Sequence, residues 1–316
     1  MTDLVTGGAG FLGTRLIRSL LAGASGPAPA RVICVDQVAS PVQDPRVMSV
    51  IGSIADAGFA RAAVPPDVSR IWHLAAVLSG QSEAEPALAM AVNVGGTQAL
   101  LEACRVATRP PRFVFSSTVA VFGGPLPEVL PEDQAPRPAS TYGTTKAIAE
   151  LLVLEASRRG IVDAIACRVP TVSVRPGRPN SAMSSFVSGI VREPLAGLES
   201  VCPVPIDTRL WVASPAVTTA NLAHAGTVPA ASLQGVRTIN LPGICVTPAQ
   251  LLDSLERAAG ADVRRLVRIE PDARVSSIVG SWPGAFDVSR ALRLGFSADG
   301  HADALVTQFI ADHATR

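Results

Sequence analysis

Tyr142 and Lys146 are the only tyrosine and the only lysine in a chain of 316 residues, and every other Lys/Arg position is arginine. An offset of four puts both side chains on one face of a helix. A phenol ionises near pH ~10 in water, and a fixed cation close by favours the phenolate. Such a couple can take the proton from an alcohol, which is general-base chemistry. One Tyr and one Lys scattered at random would meet this offset about once in 300 chains, so a surface pair without a role is the weaker explanation.

A second cluster lies at the N-terminus. Leu4-Val5-Thr6-Gly7-Gly8-Ala9-Gly10-Phe11-Leu12-Gly13 has the character of a strand, a glycine turn and a helix start. Gly7 permits the tight turn, Gly10 lets a pyrophosphate approach backbone N–H groups, and Gly13 allows close helix–strand packing. A following strand ends in Asp36, whose carboxylate suits ribose hydroxyls and repels a 2′-phosphate, favouring NAD over NADP.

These residues need elements to hold them. Strands are expected at 3–6, 31–36, 47–52, 70–74, 112–116 and 164–168, with helices at 10–22, 87–107 and 140–159. This alternation predicts an α/β fold: a doubly wound parallel sheet covered on both faces. Residues 172–207 read as loops with a short helix near 184–191. Strand, helix and strand follow at 209–214, 216–226 and 237–241, then a helix at 248–259, a strand at 263–270 and a helix at 302–313. The division expected is a nucleotide domain (1–172 and 208–244) interleaved with a smaller substrate domain (173–207 and 245–316).

Composition narrows the function. The chain is 48% hydrophobic and 17% charged with net charge +1, so no nucleic-acid footprint or membrane-surface binding is expected. Cys34, Cys104, Cys167, Cys202 and Cys245 are isolated, and the four histidines lack ligand spacing. Buried structural thiols in a reducing compartment and no metal site are expected. Cys167, in an apolar run, reads as core rather than nucleophile. The N-terminus has no basic region ahead of its apolar residues, and no apolar run reaches ~18 residues, so a cytoplasmic protein is expected.

The G-x-x-G-x-x-G spacing resembles the extended branch of the short-chain dehydrogenase/reductase superfamily, which includes nucleotide-sugar epimerases. The likeness covers nearly the whole chain. Ile71-Trp72-His73-Leu74-Ala75-Ala76 is similar to the branch's cofactor-lining fourth strand, and Asn93-Val94-Gly95-Gly96-Thr97 to its central helix motif. Ser116-Ser117-Thr118-Val119-Ala120-Val121-Phe122-Gly123 resembles its fifth strand. The resemblance implies a triad of Thr118, Tyr142 and Lys146, with Pro170 beside the nicotinamide. It also implies NAD contacts from Phe11, Leu12, Gln37, Ser53, Ile54, Leu74, Ala75, Ala76 and Asn93. Ser53 stands where many relatives carry an acidic residue for the adenine, and Phe122 replaces a common Tyr, leaving Tyr142 as the single phenolic base. A homodimer built from the helices at 87–107 and 140–159 is implied as well.

Several connecting phrases, among them Arg175-Pro176-Gly177-Arg178-Pro179-Asn180 and Asp207-Thr208-Arg209-Leu210-Trp211, resemble a sugar-acid dehydrogenase group within the branch. That resemblance implies oxidation of D-erythronate at C2 to 2-dehydro-D-erythronate. In that mechanism Tyr142 takes the hydroxyl proton, Thr118 donates to the oxygen, and Lys146 lowers the Tyr142 pKa and holds the nicotinamide ribose. Ser79, Ser117, Asn180 and Ser185 could hydrogen-bond a small polyol acid. Arg175, Arg178, Arg192 and Arg209 are candidates for its carboxylate, with Arg192 preferred because it sits in a family-like phrase. Two rivals share the fold: an epimerase or dehydratase of nucleotide sugars, and a non-catalytic NAD-sensing regulator, which has no need of the phenol–ammonium couple.

Overall fold

The structure, a computed structural model, describes residues 1–24, 26–177 and 182–313. Its strands are β1 Thr2–Thr6, β2 Arg31–Asp36, β3 Val47–Ile51, β4 Val68–His73, β5 Arg112–Thr118, β6 Asp163–Val169, β7 Thr171–Val172, β8 Ser200–Cys202, β9 Leu210–Ala213, β10 Thr238–Asn240, β11 Ile244–Val246 and β12 Val267–Ile269. Seven of them pair in parallel in the order β10-β6-β5-β4-β1-β2-β3. The chain builds outward from β1 through β2 and β3, then returns to the other side with β4. The crevice beyond the C-terminal ends of β1 and β4 is therefore the switch point where such sheets bind ligands.

The central strands are apolar almost throughout because both faces are covered. On one face Ile71, Phe113 and Phe115 meet Leu100, Ala149 and Val153 from helices Thr97–Ala103 and Thr141–Arg158. On the other face Val5, Trp72 and Ile165 meet Leu16, Ile17 and Leu222 from helices Phe11–Leu21 and Pro215–Ala225. Trp72 Nε1 donates to the Leu222 carbonyl at 2.7 Å, so the largest core side chain has no unmet donor. A separate core gathers Val174, Val187, Ile190, Cys202, Leu251, Leu255 and Leu305 around two small sheets, β7-β9-β11 and β8-β12.

Three stretches differ from expectation. The helix at 87–107 is broken into Pro86–Ala89, a π-helix Met90–Gly96, Thr97–Ala103 and a 3₁₀ turn Cys104–Val106. The wide turn lies where Asn93 bonds sideways to Val77 and Thr145, and where a Cβ on Gly96 would lie 2.9 Å from Ile54. At 263–270 the first residues are helical (Ala261–Arg264) and only Val267–Ile269 pairs, with β8. Gly260, at φ +93, ends the preceding helix and opens the new turn. The irregular stretch 172–207 carries a longer helix than expected, Ser185–Leu195, and strand β8. Four cysteines are buried as structural thiols, but Cys245 is exposed, where it accepts from Arg209 Nε at 3.5 Å. No helix among the described residues is long and apolar enough to cross a membrane.

Candidate active site

A cavity of about 730 Å³ opens at the switch point and runs from Asp36 to Trp282. At one end the wall is the glycine turn. Gly7 has φ +69, and a Cβ on it would lie 2.8 Å from the Ala75 nitrogen. A Cβ on Gly13 would lie 2.1 Å from the Gly7 carbonyl oxygen. Helix Phe11–Leu21 begins at Gly10 with no side-chain cap, so the positive end of its dipole faces the cavity. Asp36 closes the turn by accepting from Ala9 N at 3.0 Å and Gln37 N at 2.7 Å. Its carboxylate lines the cavity beside Gln37, Ser53 and Ile54. A backbone cradle with a carboxylate at its rim fits a dinucleotide pyrophosphate and ribose.

Asn93 does not line the wall, although it was expected to touch the cofactor. Its Oδ1 accepts from Val77 N at 2.8 Å and its Nδ2 donates to Val77 O and to Thr145 Oγ1. It therefore holds the turn that follows Leu74, Ala75 and Ala76, which do line the cavity. A buried chain supports the same turn. Thr97 Oγ1 donates to the Asn93 carbonyl at 2.6 Å, so it accepts from His73 Nε2 at 2.8 Å, and His73 Nδ1 accepts from Thr6 Oγ1 at 2.7 Å. Burial pushes His73 down to about 3, so the ring is neutral and this single tautomer satisfies it.

At mid-cavity Thr118, Tyr142, Lys146 and Pro170 share the wall. Ser140 caps helix Thr141–Arg158 by accepting from Gly143 N at 3.1 Å, and Glu83 accepts from Thr141 N at 2.6 Å. A Cβ on Gly143 would lie 2.0 Å from the Ala120 carbonyl oxygen, so glycine lets the helix start against the end of β5. That contact sets Tyr142 beside Thr118 on the cavity wall. Lys146 is 2% exposed with Nζ 4.2 Å from the Phe115 ring centroid.

The charges differ from expectation. Burial pushes the Tyr142 phenol up to about 12, opposed by the Thr118 hydrogen bond and by the charge of Arg175. Burial brings Lys146 down to about 7, opposed by Glu150. Arg175 thus stands as a second cation near the phenol, while Lys146, buried this deeply, gives up part of its own charge.

At the far end, Ser79, Arg175, Ala182, Ser184 and Trp282 line the cavity. Ser79 Oγ accepts from Met183 N at 2.9 Å and so holds this loop. Arg192 stands off the wall, with Nη1 donating to the Arg175 carbonyl at 2.8 Å and Nη2 paired with Glu193. Its place in the chain made it attractive, but its fork is engaged in supporting Arg175. Ser117 reaches the wall, yet its hydroxyl donates to Glu150 at 2.8 Å. Ser185 lies one residue past the wall, where Ser184 takes its place. Arg178 and Asn180 fall outside the described residues. Trp282 was not anticipated; its signal was a lone tryptophan among Gly280, Pro283 and Gly284 in a turn-rich stretch.

The NAD dependent epimerase/dehydratase family matches residues 4–209. A D-erythronate dehydrogenase of Cupriavidus necator is 44% identical, over 99% of this chain and 98% of that protein. A D-erythronate dehydrogenase of Haemophilus influenzae is 42% identical, over 98% of this chain and 99% of that one. A crystal structure of a nucleoside-diphosphate-sugar epimerase from Agrobacterium tumefaciens superposes with TM-score 0.93 at 34% identity, over 99% of this chain and 94% of that chain. Glycine cradle, Asp36 rim, Tyr–Lys couple and full-length likeness agree: this chain is an NAD-dependent dehydrogenase that belongs to the NAD dependent epimerase/dehydratase family, in the extended short-chain dehydrogenase/reductase branch.

Proposed function

We propose that the chain oxidises a small sugar acid, D-erythronate, at C2 to 2-dehydro-D-erythronate. The observation that carries this is the side-by-side arrangement of Thr118, Tyr142 and Arg175 on one cavity wall. An alcohol oxidised there has a proton acceptor, a hydroxyl partner and a fixed guanidinium for its carboxylate. The shared activity of the two full-length relatives supports the choice of acid.

Oxidation of the carbinol removes a proton and a hydride, and bound NAD supplies the hydride acceptor. The chain's residues handle the proton and the geometry. Tyr142, as phenolate, takes the C2 hydroxyl proton. Thr118 Oγ1 donates to the oxygen as it becomes a carbonyl, a bond that strengthens toward the transition state. Lys146 holds the ribose hydroxyls of the nicotinamide side and supplies the positive charge that balances the phenolate. Arg175 orients the acid, braced through its carbonyl by Arg192, and Trp282 closes the apolar end of the cavity. Residues 173–207 and 245–316 act as the substrate domain against a nucleotide domain of 1–172 and 208–244.

Purified protein with NAD and D-erythronate should give NADH in step with substrate consumed, with threonate, uronates and UDP-sugars run alongside. Isomerisation of a UDP-sugar at constant NAD, with no NADH from any acid, would move the function to that of the nucleotide-sugar epimerase it resembles. We also propose a cytoplasmic homodimer formed through the helices that expose Met90 and Leu151, with all five thiols free. Light scattering should then give twice the 32.6 kDa chain mass, and the monomer mass would reject it.

A further inference from the structure

Beneath the Tyr142–Lys146 couple lies a charge cluster that no step above uses. Glu150, one turn beyond Lys146, is 2% exposed. Its Oε1 accepts from Arg168 Nη2 at 2.5 Å, and its Oε2 accepts from Arg168 Nε at 3.2 Å and Ser117 Oγ at 2.8 Å. The Arg168 guanidinium lies 4.8 Å from the Phe122 ring centroid, and its Nη1 reaches Asn240 Oδ1 at 3.4 Å. The cluster therefore joins β5, β6 and β10 to the helix that carries the couple. Burying such a pair is a poor route to stability, since desolvating both charges offsets their attraction. Among the described residues the other buried bidentate pair, Asp3–Arg70, sits toward the starts of the central strands β1 and β4, off the cavity lining.

The two members act on Lys146 with opposite sign. The Glu150 carboxylate favours the ammonium, and the Arg168 guanidinium paired with it opposes that effect. Lys146 feels the remainder, on top of the favourable Phe115 face. Other titratable groups face the same region. His73 approaches from β4 and is held neutral, and Cys167 on β6 is held protonated by burial. Arg175 acts on Tyr142 from beyond β7, and Glu83 caps the helix at Thr141. Among the described residues, the Glu150–Arg168 ion pair is the one locked in fixed geometry with a member one helical turn from Lys146.

We propose that Glu150 and Arg168 are positioning residues that set the balance between ammonium and amine at Lys146, and with it the share of the couple in the phenolate–ammonium form. Burial, partly offset by Glu150, has already brought Lys146 down to about 7, so modest changes in nearby charge decide its state at neutral pH. This rests on Tyr142 and Lys146 being the catalytic couple, but it can be tested without turnover.

With one lysine and one tyrosine in the chain, lysine labelled with carbon-13 at Cε gives a single side-chain resonance. The near-ultraviolet rise on phenol ionisation likewise has one source. Glu150→Gln leaves Arg168 uncompensated and should lower the Lys146 midpoint by about one pH unit or more. Arg168→Met leaves the carboxylate bare and should raise it by a similar amount, about one unit. The Glu150→Gln/Arg168→Met double variant, with no unpaired charge, should return it to within about half a unit of the parent. Loss of packing alone would not move the two single variants in opposite directions. Shifts of the same sign, or none, would overturn the proposal. If a single variant fails to fold, Ser117→Ala carries the test: freeing one carboxylate oxygen should raise the midpoint, and an unmoved midpoint rejects the idea. If the opposite shifts are seen while Tyr142→Phe keeps full turnover, the electrostatic inference stands and the catalytic assignment fails.

Discussion

The two ends of the cavity recognise by different means. At the Asp36 end the contacts come from main chain: a glycine at φ +69, an uncapped helix start and a carboxylate tied to two backbone N–H groups. From mid-cavity to the Trp282 end they come from side chains on five separate stretches, at Ser79, Thr118, Tyr142, Arg175 and Trp282. Backbone geometry ties one end to a ligand that all relatives can share. Side-chain convergence leaves the other end free to change its substrate while the sheet stays as it is.

That contrast can be broken or sharpened by substitution. Tyr142→Phe should have the largest effect, a loss of about 10³-fold or more in kcat with NAD affinity unchanged. Near-normal turnover would remove Tyr142 as the base. Arg175→Met should cost about 10²-fold in kcat/KM for the acid and spare NAD binding, whereas Arg192→Met should cost about tenfold through loss of its brace. If Arg192→Met proves the more damaging, the carboxylate partner has been misassigned between the two arginines. Gly13→Ala attacks the other end: its Cβ would meet backbone, which cannot yield cheaply, and NAD affinity should fall about thirtyfold. Isothermal titration with NAD measures it, and a parent-like Kd would mean that the turn adapts.

The last test is a matter of pH. Below about 7 both members of the couple are protonated, and the active phenolate–ammonium form has one proton fewer. The kcat/KM should rise about tenfold per pH unit up to that point. Above it the profile should level off, because phenol–amine and phenolate–ammonium then compete at equal proton count. A climb continuing toward pH 12 would show that Tyr142 titrates independently of Lys146.

Much of this was legible in the sequence, for physical reasons. Strands buried on both faces read as apolar runs, and the turn that binds a pyrophosphate needs glycines at fixed offsets, so β1 to β6 and the Gly7–Gly13 cradle are local features. Tyr142 and Lys146 stood out because one face of one helix carries both. What could not be read depended on how distant pieces pack. Which of Arg175 and Arg192 faces the cavity is decided by the seating of helix Ser185–Leu195. Ser117 looked free for substrate until the fold brought Glu150 within 2.8 Å. The broken helix after Pro86 follows from Asn93 bonding sideways to Val77, a partner 16 residues away.

The short helix Ser79–Ala84 joins the turn behind the mid-cavity wall to the far end of the cavity. It follows the turn pinned by Asn93, its Ser79 holds Met183 on the substrate loop, and its Glu83 caps the helix of Tyr142. A rigid piece shared in this way links the two ligands thermodynamically. If binding of one ligand shifts it and so changes the affinity for the second by some factor, the second must change the affinity for the first by that same factor, whichever arrives first.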